Sequence, residues 1–155
     1  MKELNKMKYL IFIFVVTSCS SCFLFPKFRK DTFQYNAAGQ AAAIAVVVPK
    51  GFSREDTRTD SAGAVVKTYY YDDGTVLYFA QMPDTVTMLR SIDTAQHIPE
   101  MHTLGGVMYK GVEADYTFWR EVRRGFFRAG YRNVKVPVEP RFDSAVNYAV
   151  GRVRM

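Results

Sequence analysis

The chain has 155 residues, 48% hydrophobic and 23% charged, which suits one folded domain behind a leader and excludes wholesale disorder. Its two cysteines, both close to the N-terminus, exclude a disulfide framework, so packing must stabilise the fold. The net charge is +6, and residues 117–155 hold nine Lys or Arg against three acids. Such an excess suits a solvated face first, and as the alternative one that attracts anionic lipids or polysaccharides.

Residues 1–8 are short and basic, residues 9–16 are wholly apolar, and small polar residues then lead to Cys19, which is the layout of a secretory signal. Val16-Thr17-Ser18-Cys19 resembles the bacterial lipobox. That resemblance implies cleavage before Cys19, transfer of a diacylglyceryl group to its thiol and further palmitate-type acylation. Stable anchoring takes more than one acyl chain, each buried CH₂ contributing about 0.8 kcal/mol, and a lipoprotein's several chains meet that need. An uncleaved membrane helix fits less well, because residues 9–25 number only 17 and are interrupted by Thr-Ser-Cys-Ser-Ser-Cys. Cys19-Ser-Ser-Cys22 lacks the following His of a haem attachment site, and Phe23 stands there instead.

Residues 1–18 therefore read as a signal peptide, 19–36 as lipidated Cys and tether, and 37–155 as a single α+β domain. Ala41–Val48 is an apolar run that suits a buried strand stopped by Pro49, and Ser53–Gly63 reads as a polar loop. Residues 64–82 read as a hairpin about a two-residue Asp73-Gly74 turn, with Tyr71 opposite Val76 and Tyr69 opposite Tyr78. Both of its faces are apolar, so either could meet the core. Residues 83–104 read as a loop with at most one helical turn. An Arg124-Gly125 turn would pair Val122 with Phe127 and Phe118 with Tyr131 on one face. On the other face it would pair Glu121 with Arg128 and Trp119 with Gly130, which marks that face as the wetter one. Phe142, Ala145, Val146, Ala149, Val150 and Val153 follow a helical stripe, and Pro140 suits the first turn. The fold expected is α+β, a mostly antiparallel sheet of about five strands with a C-terminal helix packed on it.

Several residues invite chemistry. Arg120 falls on the apolar face, where a buried guanidinium must be paired. Glu113, Asp115, Glu139 and Asp143 are candidate partners, and a pocket for an anion is the functional alternative, with Trp119 and Arg128 as neighbours. His97 and His102 flank Glu100 as weak metal ligands, but Pro99 prevents one helix face from holding both rings. The tyrosine run could stack on sugars or bases, although at strand spacing it serves cross-strand packing. No phosphate loop, nucleophile elbow or nucleic-acid motif is present, and no cofactor is expected.

Tyr116–Tyr131 (Tyr-Thr-Phe-Trp-Arg-Glu-Val-Arg-Arg-Gly-Phe-Phe-Arg-Ala-Gly-Tyr), followed by Phe142-Asp143-Ser144-Ala145 and joined to the leader, resembles small uncharacterised lipoproteins of Bacteroidota. The resemblance implies a cell-envelope location and no activity. Surface-exported members carry acidic residues just after the lipidated Cys, and Ser20-Ser21-Cys22-Phe23-Leu24 has none, so an outer-membrane anchor facing the periplasm is implied. The leading functional expectation is a non-catalytic envelope lipoprotein acting as a binding or assembly module. Its partners would be the membrane, through the anchor, and an envelope protein or anionic glycan or lipid. The alternatives are a periplasmic small-ligand or anion carrier using Arg120, and an envelope enzyme of unrecognised type.

Overall fold

A computed structural model describes residues 27–37, 40–89 and 97–154. The leader, Cys19 and Cys22 lie outside the described residues. The chain forms a mixed α+β fold, a large antiparallel sheet with one C-terminal helix on it. In chain order the strands are β1 (Phe28–Ala37), β2 (Gln40–Pro49), β3 (Phe52–Thr59), β4 (Val65–Tyr71), β5 (Val76–Gln81), β6 (Glu100–Met101), β7 (Val107–Val112), β8 (Phe118–Arg124) and β9 (Phe127–Val134). A 3₁₀ turn at Val136–Val138 then leads into helix α1 (Glu139–Arg152). Strands β3-β4-β5-β9-β8-β7-β6 make a seven-stranded sheet, larger than the five strands expected, and β1–β2 form a separate two-stranded hairpin.

The hairpin and the helix lie side by side on one face of the sheet. Phe33 of β1, Ile44, Val46 and Val48 of β2, and Phe142, Ala145, Val146, Ala149 and Val150 of α1 are buried against Tyr69, Leu77, Phe79, Val122, Phe127, Ala129 and Tyr131. The helix stripe lies where its spacing puts it, with only Val153 at the margin. A 14-residue helix is marginal alone, so this burial, roughly 1.5–3 kcal/mol per large side chain, decides its stability. Aromatic rings fill the centre edge to face, with Phe52 on Tyr69, Tyr69 on Phe79, and Tyr71 on Phe142.

Several sequence expectations need correction. Residues 28–36, read as tether, form β1, and the whole strand pairs with β2 from Phe28↔Pro49 to Ala37↔Gln40. The alternating burial of Phe33 and its neighbours is masked in the sequence by interspersed charges. Ser53–Thr59, read as loop, belongs to edge strand β3, whose Arg54, Asp56 and Arg58 are the charges an open edge carries to discourage further pairing. The β4–β5 register is one residue from that expected, with Tyr70↔Val76, Tyr69↔Leu77 and Thr68↔Tyr78. Tyr71 and Thr75 enclose a three-residue loop in which only Gly74 is left-handed (φ 84°), not a two-residue turn. That odd shift puts Tyr69, Leu77 and Phe79 on the core face and leaves Tyr70, Tyr78 and Thr68 on the opposite one.

The β8–β9 turn is Gly125-Phe126, so Val122 faces Ala129 and Glu121 faces Gly130. This even shift preserves the expected faces. Near Asn133, itself left-handed (φ 57°), β9 carries an extra residue, so Tyr131 and Val134 both point to the core.

Asp31 of β1 pins hairpin to sheet. It accepts hydrogen bonds from Arg29 Nη2 (2.8 Å), Lys67 Nζ (3.1 Å), the Tyr69 hydroxyl (2.9 Å) and the Thr32 N–H (2.7 Å). Burial by itself would raise its pKa, but the donors outweigh burial and hold the carboxyl well below the usual range. A carboxyl depressed in the folded state stabilises fully above its unfolded pKa of about 4, and that contribution is lost as pH falls. Asp31→Asn is expected to lower stability at pH 7 by roughly 1–2 kcal/mol, allowing for screening at this half-buried position. In urea titrations the gap to the parent should narrow as acid is added, and a gap independent of pH would exclude this role for the carboxylate.

Candidate functional site

Arg120 leaves β8 toward α1. Its Nη1 meets Asp143 Oδ1 at 2.5 Å, its Nη2 donates to Asn147 Oδ1 at 3.0 Å, and its Nε contacts Met108 Sδ at 3.0 Å. Of the four acids weighed as partners, Asp143 is the one that meets it. The Tyr131 hydroxyl also donates to Asp143 (2.9 Å), and burial followed by that acidic neighbour pushes the phenol's pKa up, so it stays a donor. The guanidinium is thus occupied by the helix it secures.

Trp119 and Arg128 project from the opposite face of the sheet, so the three residues grouped as an anion site do not converge. That back face is not the wetter one, since Glu121 and Arg128 are both 0% exposed and Trp119 is 2% exposed. The segment following β5 crosses over it. Arg128 donates to the carbonyls of Thr87 (2.9 Å), Asp84 (3.1 Å), Gly125 (2.6 Å) and Phe127 (3.0 Å). Glu121 accepts from the Leu89 N–H (3.0 Å) and the Tyr78 hydroxyl (2.6 Å). Burial lowers the Arg128 pKa, opposed by the nearby Glu121 charge. Gly130 is covered, as expected for a cross-strand glycine, but by Tyr78, because the true register brings Trp119 over Gly111 instead.

The two histidines part company. His97 packs edge-on against Trp119, with ring centroids 5.0 Å apart. His102 is buried, and its Nδ1 accepts from the Leu104 N–H (3.2 Å), which leaves Nε2 to donate to Asn147 Oδ1 (3.0 Å). Among the described residues no three His, Cys, Asp or Glu side chains group to hold a metal ion, and no helix is long and apolar enough to cross a membrane.

Among the described residues, a part of the back face beyond the crossing segment is left open. Thr68 and Tyr70 of β4, Val76 and Tyr78 of β5, Leu89 of the crossing segment and Arg132 of β9 line a cleft of about 440 Å³ there. Arg54 of β3 stacks on Tyr70, its guanidinium carbon 4.2 Å from the ring centroid. Glu121 holds the Tyr78 hydroxyl and so fixes that ring. The cleft combines aromatic surface, hydroxyls and cationic groups, and no carboxylate is among its described lining. The tyrosine run was legible as strand. Its odd-numbered members Tyr69 and Tyr71 pack in the core, whereas Thr68 and Tyr70 face this cleft, a division that depends on the register. No family model, curated protein or solved structure matches the chain.

If Arg128 holds the crossing segment, Arg128→Met leaves Glu121 without its buried countercharge and should cost about 3 kcal/mol in urea unfolding. Amide exchange at residues 84–89 should accelerate beyond the global loss. Unchanged protection in that segment would mean that other contacts hold it.

Proposed function

We propose that this chain is a lipid-anchored, non-catalytic binding module of the cell envelope whose recognition site is the back-face cleft. The anchor reading is supported by the lipobox-like Val16–Cys19 behind a basic and apolar leader. One observation carries the choice of site. The buried charges Arg120, Glu121 and Arg128 have structural partners, whereas in the cleft an exposed Arg132 and a half-buried Tyr70 stand beside the buried Tyr78. Its volume falls within the range of small-ligand sites.

The ligand class that fits is an acidic saccharide. Apolar ring faces of a sugar pack on tyrosine, hydroxyls meet Thr68, and the planar Arg132 fork matches a carboxylate. The Tyr78 hydroxyl is held by the Glu121 carboxylate at 2.6 Å with both residues buried, which supports a role for that pair in fixing the ring.

Two measurements test the reading. Mass spectrometry of protein from native membranes should find an acylated Cys19 at the N-terminus, and an intact leader would reject the anchor. Equilibrium dialysis in neutral detergent should show binding of a uronic-acid oligosaccharide and not its neutral counterpart. Tyr70→Ala should abolish that binding, and Arg132→Gln should weaken it about tenfold, the loss of one charge-assisted contact of roughly 1.4 kcal/mol. Equal binding of acidic and neutral sugars would overturn the ligand class.

A further inference from the structure

The end of the sheet farthest from the chain entry has a different surface. The Gly125-Phe126 turn, the C-terminus of α1 and the loop after β6 meet there. Arg124 and Arg154 line a groove of about 440 Å³ with Tyr35, Phe127 and Val153, and no carboxylate is among its described lining. Arg124 is held in place by donating to the last-turn carbonyl of Val150 (2.8 Å), and Arg123 by donating to Val86 O (2.8 Å). Arg152 is exposed one turn from Tyr148.

Large apolar side chains stand in water among these arginines. Phe126 is 50% exposed at the turn tip, Leu104 is 44% exposed beside Gly151, and Val86 is 69% exposed. The nearby Asp84 keeps its negative charge and offsets at most one of the four arginines. Its carboxylate is engaged by the Val86 N–H, the Thr87 N–H and the Thr87 hydroxyl. Apolar tips ringed by cations match the boundary of an anionic bilayer, where hydrocarbon lies just beneath phosphate.

We propose that this end of the domain docks on an anionic lipid surface, Phe126, Leu104 and Val86 entering the headgroup boundary while Arg123, Arg124, Arg152 and Arg154 meet lipid phosphates. The proposal rests on the anchor reading for its proximity to the membrane. Geometry permits both contacts at once. The chain enters at the opposite end, where the Lys50 N–H donates to Lys27 O (2.9 Å). From Lys27 to Tyr35 in the groove lining, β1 spans eight residues, about 27 Å, and the eight steps from Cys19 to Lys27 reach at most about 29 Å. The same leaflet can therefore hold the acylated Cys and touch the arginine-rich end.

The test uses the processed protein from native membranes, carrying Cys22→Ser and Phe126→Cys labelled with a polarity-sensitive bimane. It is mixed with vesicles of phosphatidylcholine alone or with one-third phosphatidylglycerol. Flotation with both and a blue-shifted probe only in the anionic vesicles is the expected result. The shift should disappear in high salt and in Arg152→Gln/Arg154→Gln, two exposed positions whose change leaves the core untouched. Flotation with both vesicles and no shift in either overturns docking while the anchor stands. Flotation with anionic vesicles alone supports docking and rejects the anchor, and flotation with neither rejects both. Slower amide exchange at residues 123–127 of the unlabelled protein, on anionic vesicles only, supplies the same answer without the Phe126 substitution.

Discussion

Arg128 carries a charge into the middle of the sheet's back face, where no water reaches it. A guanidinium in that position must find acceptors on every side or destabilise the fold by several kcal/mol. Here the acceptors are carbonyls of the segment that crosses above it and of the adjacent β8–β9 turn, with Glu121 supplying opposite charge. The crossing segment is consequently fixed over β8 and β9. Among the described residues the cleft lies beside this segment, with Leu89 in its lining, so the buried arginine that holds the cover of the sheet also positions one wall of the cleft.

The front face meets the same requirement by different means. One helix is too narrow to cover seven strands, and the β1–β2 hairpin lies beside it to complete the layer. Each covering element has a polar pin. Asp31 fastens the hairpin to Lys67 and Tyr69, and Arg120 fastens the helix through Asp143 and Asn147. Apolar contact is permissive about position, whereas a half-buried or buried ion pair has a single satisfied geometry. The pins therefore set where each cover sits, and burial supplies most of the stability.

Fold class, the closing helix with its buried stripe, and the core face of β8–β9 were all legible, because each is written in a periodicity that survives small errors. An even shift in the β8–β9 register leaves Val122, Phe127 and Tyr131 on the core side. The β4–β5 hairpin was not legible to that depth. Asp-Gly serves a two-residue turn and also a three-residue loop with Gly left-handed, and the choice between them flips one strand relative to the other. The cleft depends on that choice, since it decides whether Tyr78 shares a face with Thr68 or with Tyr69. Strands β1 and β3 were missed because charged residues such as Arg29, Lys30 and Asp31 interrupt their apolar alternation. The covered back face was missed because Glu121 and Arg128 look like a solvated cross-strand pair until the crossing segment is placed above them.

The arginine excess of the C-terminal half divides once the fold is known, and the division bears on what the surface recognises. Arg120 and Arg128 are interior fasteners and add nothing to the external field that their count suggests. Arg123 and Arg124 each give one donor to a carbonyl, a use that orients the guanidinium, and the Arg124 Nε is itself buried, so only the outer N–H groups of that residue are left for the surface. Arg132, beside the tyrosines of the cleft, is separated by the length of the sheet from Arg152 and Arg154 at the helix end. At physiological ionic strength charges that far apart are screened from one another, since the Debye length is about 8 Å. On the readings proposed above they would act as two local recognition elements, one suited to a carboxylate held against aromatic rings and the other to a plane of phosphates above hydrocarbon.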